Sequence, residues 1–267
     1  MDFGLQDQVA LVLASSKGLG LACAKILYQE GANVIICSRS KENLLKAKKE
    51  IESFGSDNPN ARVHYFIADL NNETDIQNLV NNVVRLFNRI DILIHNAGGP
   101  PSAPVFQITK DEWNNSINLN LFSLINITRL ILPIMQKQKS GRIIAITSVS
   151  VKQPLENLVL SNTARLGVVG YVKTLANEYA KDNILVNVVC PGPNLTDRMK
   201  ELIKSQMKAT GKSEEKVMET WISSIPLGRL GEPEELANLV VFLCSKKASY
   251  ITGTTIQVDG GFVKSPF

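Results

Sequence analysis

Ser161 and Arg165 stand four residues apart in the run SNTAR, within the stretch PLENLVLSNTARLGVVGYVKTLANEYA. On a helix they project from one face, which sets a hydroxyl one turn from a permanent cation. Such a pair is a catalytic apparatus, the remnant of one, or ordinary helix surface. A second cluster lies near the start of the chain, in LASSKGLGLACAKIL, where Ala14, Gly18 and Gly20 follow a G-x-x-x-G-x-G spacing with Ala in the first place. Small residues at such a turn, with Ser16, Lys17 and Leu19 between them, let the backbone approach a pyrophosphate. The free N–H groups and positive end of the helix that opens there favour the anion's charge.

Positioning these groups falls to alternating elements. Short β-branched runs at 9–14, 33–38, 62–69, 91–98, 141–148, 184–192 and 254–261 are separated by segments of helical period near 18–30, 41–54 and 73–88 and beyond. Strands that are continuously apolar, in βαβα order, predict a parallel sheet covered by helices on both faces. No linker, repeat or low-complexity tract interrupts the chain, so residues 1–267 are expected to form a single α/β Rossmann-type doubly wound domain. The polar run 53–62 reads as a connection. The run 196–226 reads as two amphipathic helices broken near Gly211; two readings are open for it, a helical lid over a ligand crevice and a pair that merely packs on the surface.

Composition narrows the function classes. The 267 residues carry a formal charge of only +4, with Lys and Arg spread along the chain, which gives no support to nucleic-acid binding. Cys23, Cys37, Cys190 and Cys244 lie far apart in apolar segments with no C-x-x-C spacing, so neither a metal site nor a disulfide framework is expected. The N-terminus lacks the pattern of a signal peptide and no apolar run approaches the ~20 residues of a membrane span, so no membrane partner and a cytoplasmic location are expected.

Further motifs stand in order along the chain: ADL with Asp69, HNAG (95–98), NLN ending at Asn120, ITS ending at Ser148, NVVCPGP (187–193) and GRLGEPEELANLVVFLCS…ITGTTIQVDGG (228–261). Together with the 14–20 turn they make the chain resemble a single-domain short-chain dehydrogenase/reductase over nearly its whole length, similar to 3-oxoacyl-[acyl-carrier-protein] reductases and glucose dehydrogenases. The resemblance implies that Ala14, Ser16, Gly18, Leu19 and Gly20 hold a cofactor diphosphate. It places Asp69, Leu70, Asn96, Ala97 and Gly98 around the adenine and its ribose, and assigns Pro191 and Gly192 to the cofactor as well. Ala14 in the place of a glycine is expected to keep φ negative.

In this kind of fold an acidic residue ending the second strand takes a ribose 2′-OH, whereas a cation takes a 2′-phosphate. Here Ser38 stands in the acidic place beside Arg39, with Lys17 in the glycine turn, so NADP(H) is preferred over NAD(H). Solvated surface cations are the alternative for both basic residues.

The family's proton source is a Tyr-x-x-x-Lys pair on a helix, with a Ser thirteen residues before the Tyr and an Asn upstream. Ser148 and Asn120 match the latter two, and Ser161 and Arg165 occupy the Tyr and Lys places. An aliphatic hydroxyl is a much weaker acid than a phenol, while Arg165 keeps the charge and can still serve the cofactor. Two functions follow. One is an oxidoreductase acting on a small alcohol or carbonyl compound, with water held by Ser148, Ser161 and Asn120. The other is a cofactor-binding protein with little turnover, in sensing or assembly. His95 is expected to pack beside the adenosine, His64 to lie at the wrong end for chemistry, and Tyr171, Tyr179 and Tyr250 to make core or surface contacts. Glu156 and Lys152 are candidates for the pocket, or solvated loop charges. The resemblance also implies a homo-oligomer, a tetramer or dimer, and the apolar tail with Phe262 and Phe267 fits a packed C-terminus.

Overall fold

The computed structural model describes residues 2–266, so Phe267 lies outside the described residues. Seven strands, Val9–Val12 (β1), Asn33–Ser38 (β2), Val63–Ile67 (β3), Ile92–His95 (β4), Gly141–Ile146 (β5), Ile184–Pro191 (β6) and Thr255–Val258 (β7), form one sheet in the order β3-β2-β1-β4-β5-β6-β7. Every neighbouring pair is parallel. β1, β4 and β5 are buried along their whole length, as strands covered on both faces must be.

Helices Gly18–Gln29 (α1), Lys41–Ser53 (α2) and Pro233–Cys244 (α9) cover one face, burying Leu27, Leu44 and Val240 against Val34 and Ile94. Glu73–Phe87 (α3), Ser123–Gln138 (α5) and Val159–Tyr179 (α6) cover the other, burying Leu79, Ile127 and Val172 against Leu93 and Val186. The strand order reverses between β1 and β4, and ligands of open α/β sheets bind outside the carboxyl ends of the strands at such a point.

A short helix, Lys110–Ile117 (α4), starts on a capping box between Thr109 and Glu112 and runs into α5 through a π-helical turn, Asn118–Phe122. The continuous 29-residue helix is long and apolar enough by composition to cross a membrane, a length the sequence did not lead us to expect. Its apolar stripe of Leu124, Ile127, Ile131 and Met135 packs into the core, and the polar residues between them had broken the apolar run.

The stretch 196–226 folds into Asp197–Thr210 (α7) and Glu214–Ser224 (α8), separated at Gly211, whose φ of +69° ends α7. A small core of its own, Met199, Ile203, Val217, Ile225 and Leu230, packs with Trp221 and Phe262, so the C-terminal tail is held where Phe262 stacks on Trp221 at 6.1 Å.

Ala14 departs from expectation. Its φ is +45°, not negative, because the chain must swing out of the sheet directly after β1 while Asn96 holds the Ala14 carbonyl at 3.1 Å. Left-handed backbone costs a residue with a Cβ about 1–2 kcal/mol, partly offset by the unfolded-state entropy of about 0.4–1 kcal/mol that a glycine loses. Ala14→Gly should therefore raise stability by about 0.5–1 kcal/mol, read from chemical denaturation; an unchanged or lower midpoint would contradict the strain.

Candidate active site

The crevice above the β1/β4 divide is a cleft of about 400 Å³. Its floor is the turn after β1. Ser15, fully buried, donates to the Val12 carbonyl at 2.6 Å and accepts from the Cys37 N–H at 3.2 Å, which fastens the turn to β2. Gly20 must lack a side chain, since a Cβ there would meet the Ala14 carbonyl at 2.8 Å and Asn96 Nδ2 at 2.9 Å. α1 thus starts hard against the strand ends. Whereas α2, α3 and α4 are capped by Ser40, Asn72 and Thr109, the N-terminus of α1 has no side-chain cap and no acidic residue in its first turn. Its N–H groups are left for an external anion.

Ala14, Ser16, Lys17, Gly18 and Leu19 line this end, with Ser38 and Arg39 from the end of β2 and Asp69 and Leu70 from the end of β3. Gly20 and Ser15 stand behind the wall. Lys17 does not point to β2 as the 2′-phosphate argument requires; its ammonium pairs with Asp197 of α7 at 3.1 Å. Arg39 is exposed and has no hydrogen-bond or ion-pair partner among the described residues.

Between the two ends Asn96, Ala97 and Gly98 follow β4; at the far end Ser148 follows β5, Pro191 ends β6 with Gly192 after it, and α6 presents Ser161 and Arg165. Gly192 packs so closely that a Cβ would fall 2.6 Å from Asp259 Cα. Arg165 is 7% exposed and donates to the carbonyls of Ile146 and Ala97, both at 3.2 Å. No carboxylate contacts it among the described residues. Burial, then the charge of Arg198, lowers its pKa to about 10, so it remains a cation at neutral pH. Ser148 Oγ accepts from the Ser150 N–H at 3.1 Å, and Ser150 Oγ lies 3.5 Å from Ser161 Oγ. Ser148 and Ser161 line the cleft, and Ser150 behind them meets the first through its N–H and the second through its hydroxyl. Ser150 was not singled out in the sequence, because its place in the chain of hydroxyls arises from the short helical turn Val149–Val151.

Asn120 is buried in the π-helical turn and does not line the cleft; its Nδ2 donates to the Ser116 carbonyl at 3.0 Å and its Oδ1 has no partner among the described residues. Such single π-turns recur at functional sites. His95 also lies off the cleft, correcting its expected place beside an adenosine: its side chain turns into the core and meets Ser123 Oγ at 2.8 Å. Tyr171 meets Thr128 Oγ1 at 2.7 Å, Tyr250 is fully exposed, and Glu156 and Lys152 stay off the cleft wall. His64 sits edge-on to Phe87. All four cysteines are buried and free, and no group of His, Cys, Asp and Glu among the described residues has the arrangement of a metal site.

Over this end lies the 196–226 segment, which resolves the two readings left open for it. Thr196, Arg198, Met199, Leu202 and Trp221 all line the cleft, so the segment is a cover.

A family model described as "Enoyl-(Acyl carrier protein) reductase" matches residues 13–263. The 3-oxoacyl-[acyl-carrier-protein] reductase FabG of Thermotoga maritima is 36% identical over 259 residues, 97% of this chain and 99% of that protein. The chain belongs to the short-chain dehydrogenase/reductase family. Among solved structures, L-sorbose reductase of Gluconobacter frateurii, complexed with NADPH and L-sorbose, superimposes with a TM-score of 0.92 at 32% identity, covering 99% of this chain and all of that one. An actinorhodin polyketide ketoreductase variant with NADPH gives 0.92 at 29% identity, covering 97% and 98% of the two chains.

This short-chain dehydrogenase/reductase is an NAD(P)-dependent oxidoreductase acting on small molecules. Its residues fit such a cofactor: an uncapped helix N-terminus faces the cleft at one end and a buried guanidinium without a counter-charge at the other.

His95 gives the fold an acid-sensitive point. Burial, then the charge of Arg165, lowers its pKa to about 3, below the ordinary value of 6.5. Between those values the unfolded chain binds a proton that the native one does not, so stability falls as pH falls, by about 1.4 kcal/mol per unit below 6.5 as an upper bound. His95→Asn should flatten the fall in Tm between pH 7 and pH 4; an unchanged slope would show that His95 is not its source.

Proposed function

We propose that this chain is an NADP(H)-preferring reductase of small carbonyl compounds in which Arg165 keeps the electrostatic role of the family lysine and a chain of serine hydroxyls replaces the phenol. The observation that carries this is the placement of Arg165, a buried guanidinium with no carboxylate against it among the described residues, in one cleft with Ser161 and Ser148, with Ser150 behind them. Ala14, Ser16, Gly18, Leu19 and the α1 N-terminus bind the diphosphate, with Gly20 allowing the close approach. Asp69, Leu70, Asn96, Ala97 and Gly98 border the adenosine half, and Pro191, Gly192 and Arg165 the nicotinamide half. Supporting the preference for NADP(H) is Arg39, an unpartnered cation beside Ser38 where an acid would favour NAD(H).

A nicotinamide bound there supplies a hydride to the carbonyl carbon, and the alcohol forms once the oxygen gains a proton. Ser148 and Ser161 orient that oxygen by donating hydrogen bonds, and the guanidinium of Arg165 favours the developing negative charge. Neither serine is acidic enough to be the ultimate source, so the proton comes from a water that Ser148 and Ser161 hold against the oxygen. Asn120, with its free Oδ1, orders water behind them.

A second reading, a cofactor-binding protein with little turnover, is favoured by the same Ser161 and Arg165. Oxidation of NADPH across ketones, sugars and 3-oxoacyl thioesters separates the two. Turnover on one class is expected, with Ser148→Ala lowering kcat about 100-fold; tight NADPH binding with no turnover on any class would establish the second reading. Arg39→Asp should weaken NADPH about ten- to a hundredfold and leave NADH within a few-fold, measured by cofactor fluorescence. Equal losses for both would refute the 2′-phosphate role.

We further assign the chain a single domain, a cytoplasmic location and a homo-oligomeric state, a tetramer or dimer. Supporting an oligomer are Phe122 and Leu166, large apolar side chains 47% and 54% exposed at the start of α5 and on α6. Light scattering checks the assembly, and a monomer at micromolar concentration would refute it.

A further inference from the structure

The cleft holds a second guanidinium that the reductase reading leaves without work. Arg198, on the first turn of α7, donates to the Pro100 carbonyl at 2.6 Å and reaches Glu201 at 3.3 Å, itself an exposed and solvent-screened carboxylate. Its guanidinium lies against Gly99, where a Cβ would come within 2.5 Å of Nε, so the bare glycine admits it into the cleft. Arg165 lines the same cleft and feels the charge of Arg198. Two of the five N–H donors of Arg165 are used on backbone carbonyls. Of the acids on the cleft wall, Asp197 is bound to Lys17 and Asp69 stands at the end of β3, so neither offsets this pair.

Two cations that repel one another, one of them buried without a counter-charge, destabilise the ligand-free cleft and are relieved by an anion. A carboxylate suits them, because planar guanidinium forks match its two oxygens. Beside Arg198 the wall is apolar, formed by Met199, Leu202, Trp221 and Phe262. We propose that Arg198, with the charge of Arg165 behind it, forms a carboxylate subsite and that the substrate is an oxo acid, its free carboxylate on Arg198 and an apolar body against Leu202, Trp221 and Phe262. This rests on the reductase reading of the cleft, and it distinguishes the chain from a reductase whose substrate carboxyl is masked as a thioester.

The test is calorimetric titration of the NADPH-saturated protein with 4-methyl-2-oxopentanoate, phenylpyruvate and 3-oxooctanoate, each against its methyl ester. At least one acid should bind ten times or more tighter than its ester, an advantage that shrinks below threefold in Arg198→Met while NADPH affinity is unchanged. Gly99→Ala, which keeps both charges but crowds the guanidinium, should reduce the advantage as well and guards against misfolding of the first variant. Equal binding of acid and ester, binding of none, or a parallel loss of NADPH and acid affinity in Arg198→Met would overturn the subsite; the last would assign Arg198 to the cofactor diphosphate. Tight acid binding without oxidation of NADPH would support the subsite while removing the reductase reading on which the substrate role depends.

Discussion

A side-chain hydrogen bond from Asn96 Nδ2 to the carbonyl of Ala14 joins the exits of β4 and β1 beside the Leu13–Ile94 backbone bond, and the cleft floor is organised around it. The two strands are neighbours whose following segments leave in different directions, so the floor between them has to be closed by side chains. Asn96 closes it, Ala14 takes a left-handed conformation to present its carbonyl, and Gly20 has to be bare for α1 to start within reach of both. The direction of α1, and hence where its open N–H groups face, is fixed by that contact. The same exit of β4 leads to Ala97, whose carbonyl holds Arg165, so the two ends of the cleft are linked through two consecutive residues, Asn96 and Ala97.

Much of this is legible in the amino-acid order because it depends on local chemistry. Runs such as NVIICS and GRIIAI are apolar at every position but one or two, which only a strand covered on both faces tolerates. The break at Gly211 is likewise local, a glycine where a helix must turn back. What escaped notice depends on residues distant in the chain. The positive φ of Ala14 is set by a side chain 82 positions away, and Lys17 finds Asp197 across 180. His95 turns from the cleft because Ser123 on α5 accepts it, and Arg198 reaches Pro100 only once the cover has folded. The π-helical turn that buries Asn120 carries no signature of its own; it forms where α4 gives way to α5 beneath α6.

The proposed reading gives Ser161 and Arg165, in altered form, the duties that the family concentrates in a phenol and an ammonium. A lysine tunes its neighbour's acidity as a compact charge on a flexible stem; a guanidinium gripped by two carbonyls is fixed in direction and never gives up its proton near neutrality. In the proposed mechanism charge and proton delivery are separated, the first lodged in α6 and the second left to water held by hydroxyls on two elements. The α6 end of the cleft sets a fixed cation beside hydroxyls, a combination that suits an anionic occupant.

The cover over this field is fastened to the body differently from the rest of the fold. Its own small core binds α7 to α8, but the link from α7 to the glycine turn is an ion pair whose two side chains are more than half in water. Such a link weakens as ions accumulate around it, while apolar contacts do not. One fastening of the cover thus thins with the surrounding electrolyte while the Arg198–Pro100 hydrogen bond and the Trp221–Phe262 stack do not depend on it, so the hold on whatever lies beneath is in part a property of the medium.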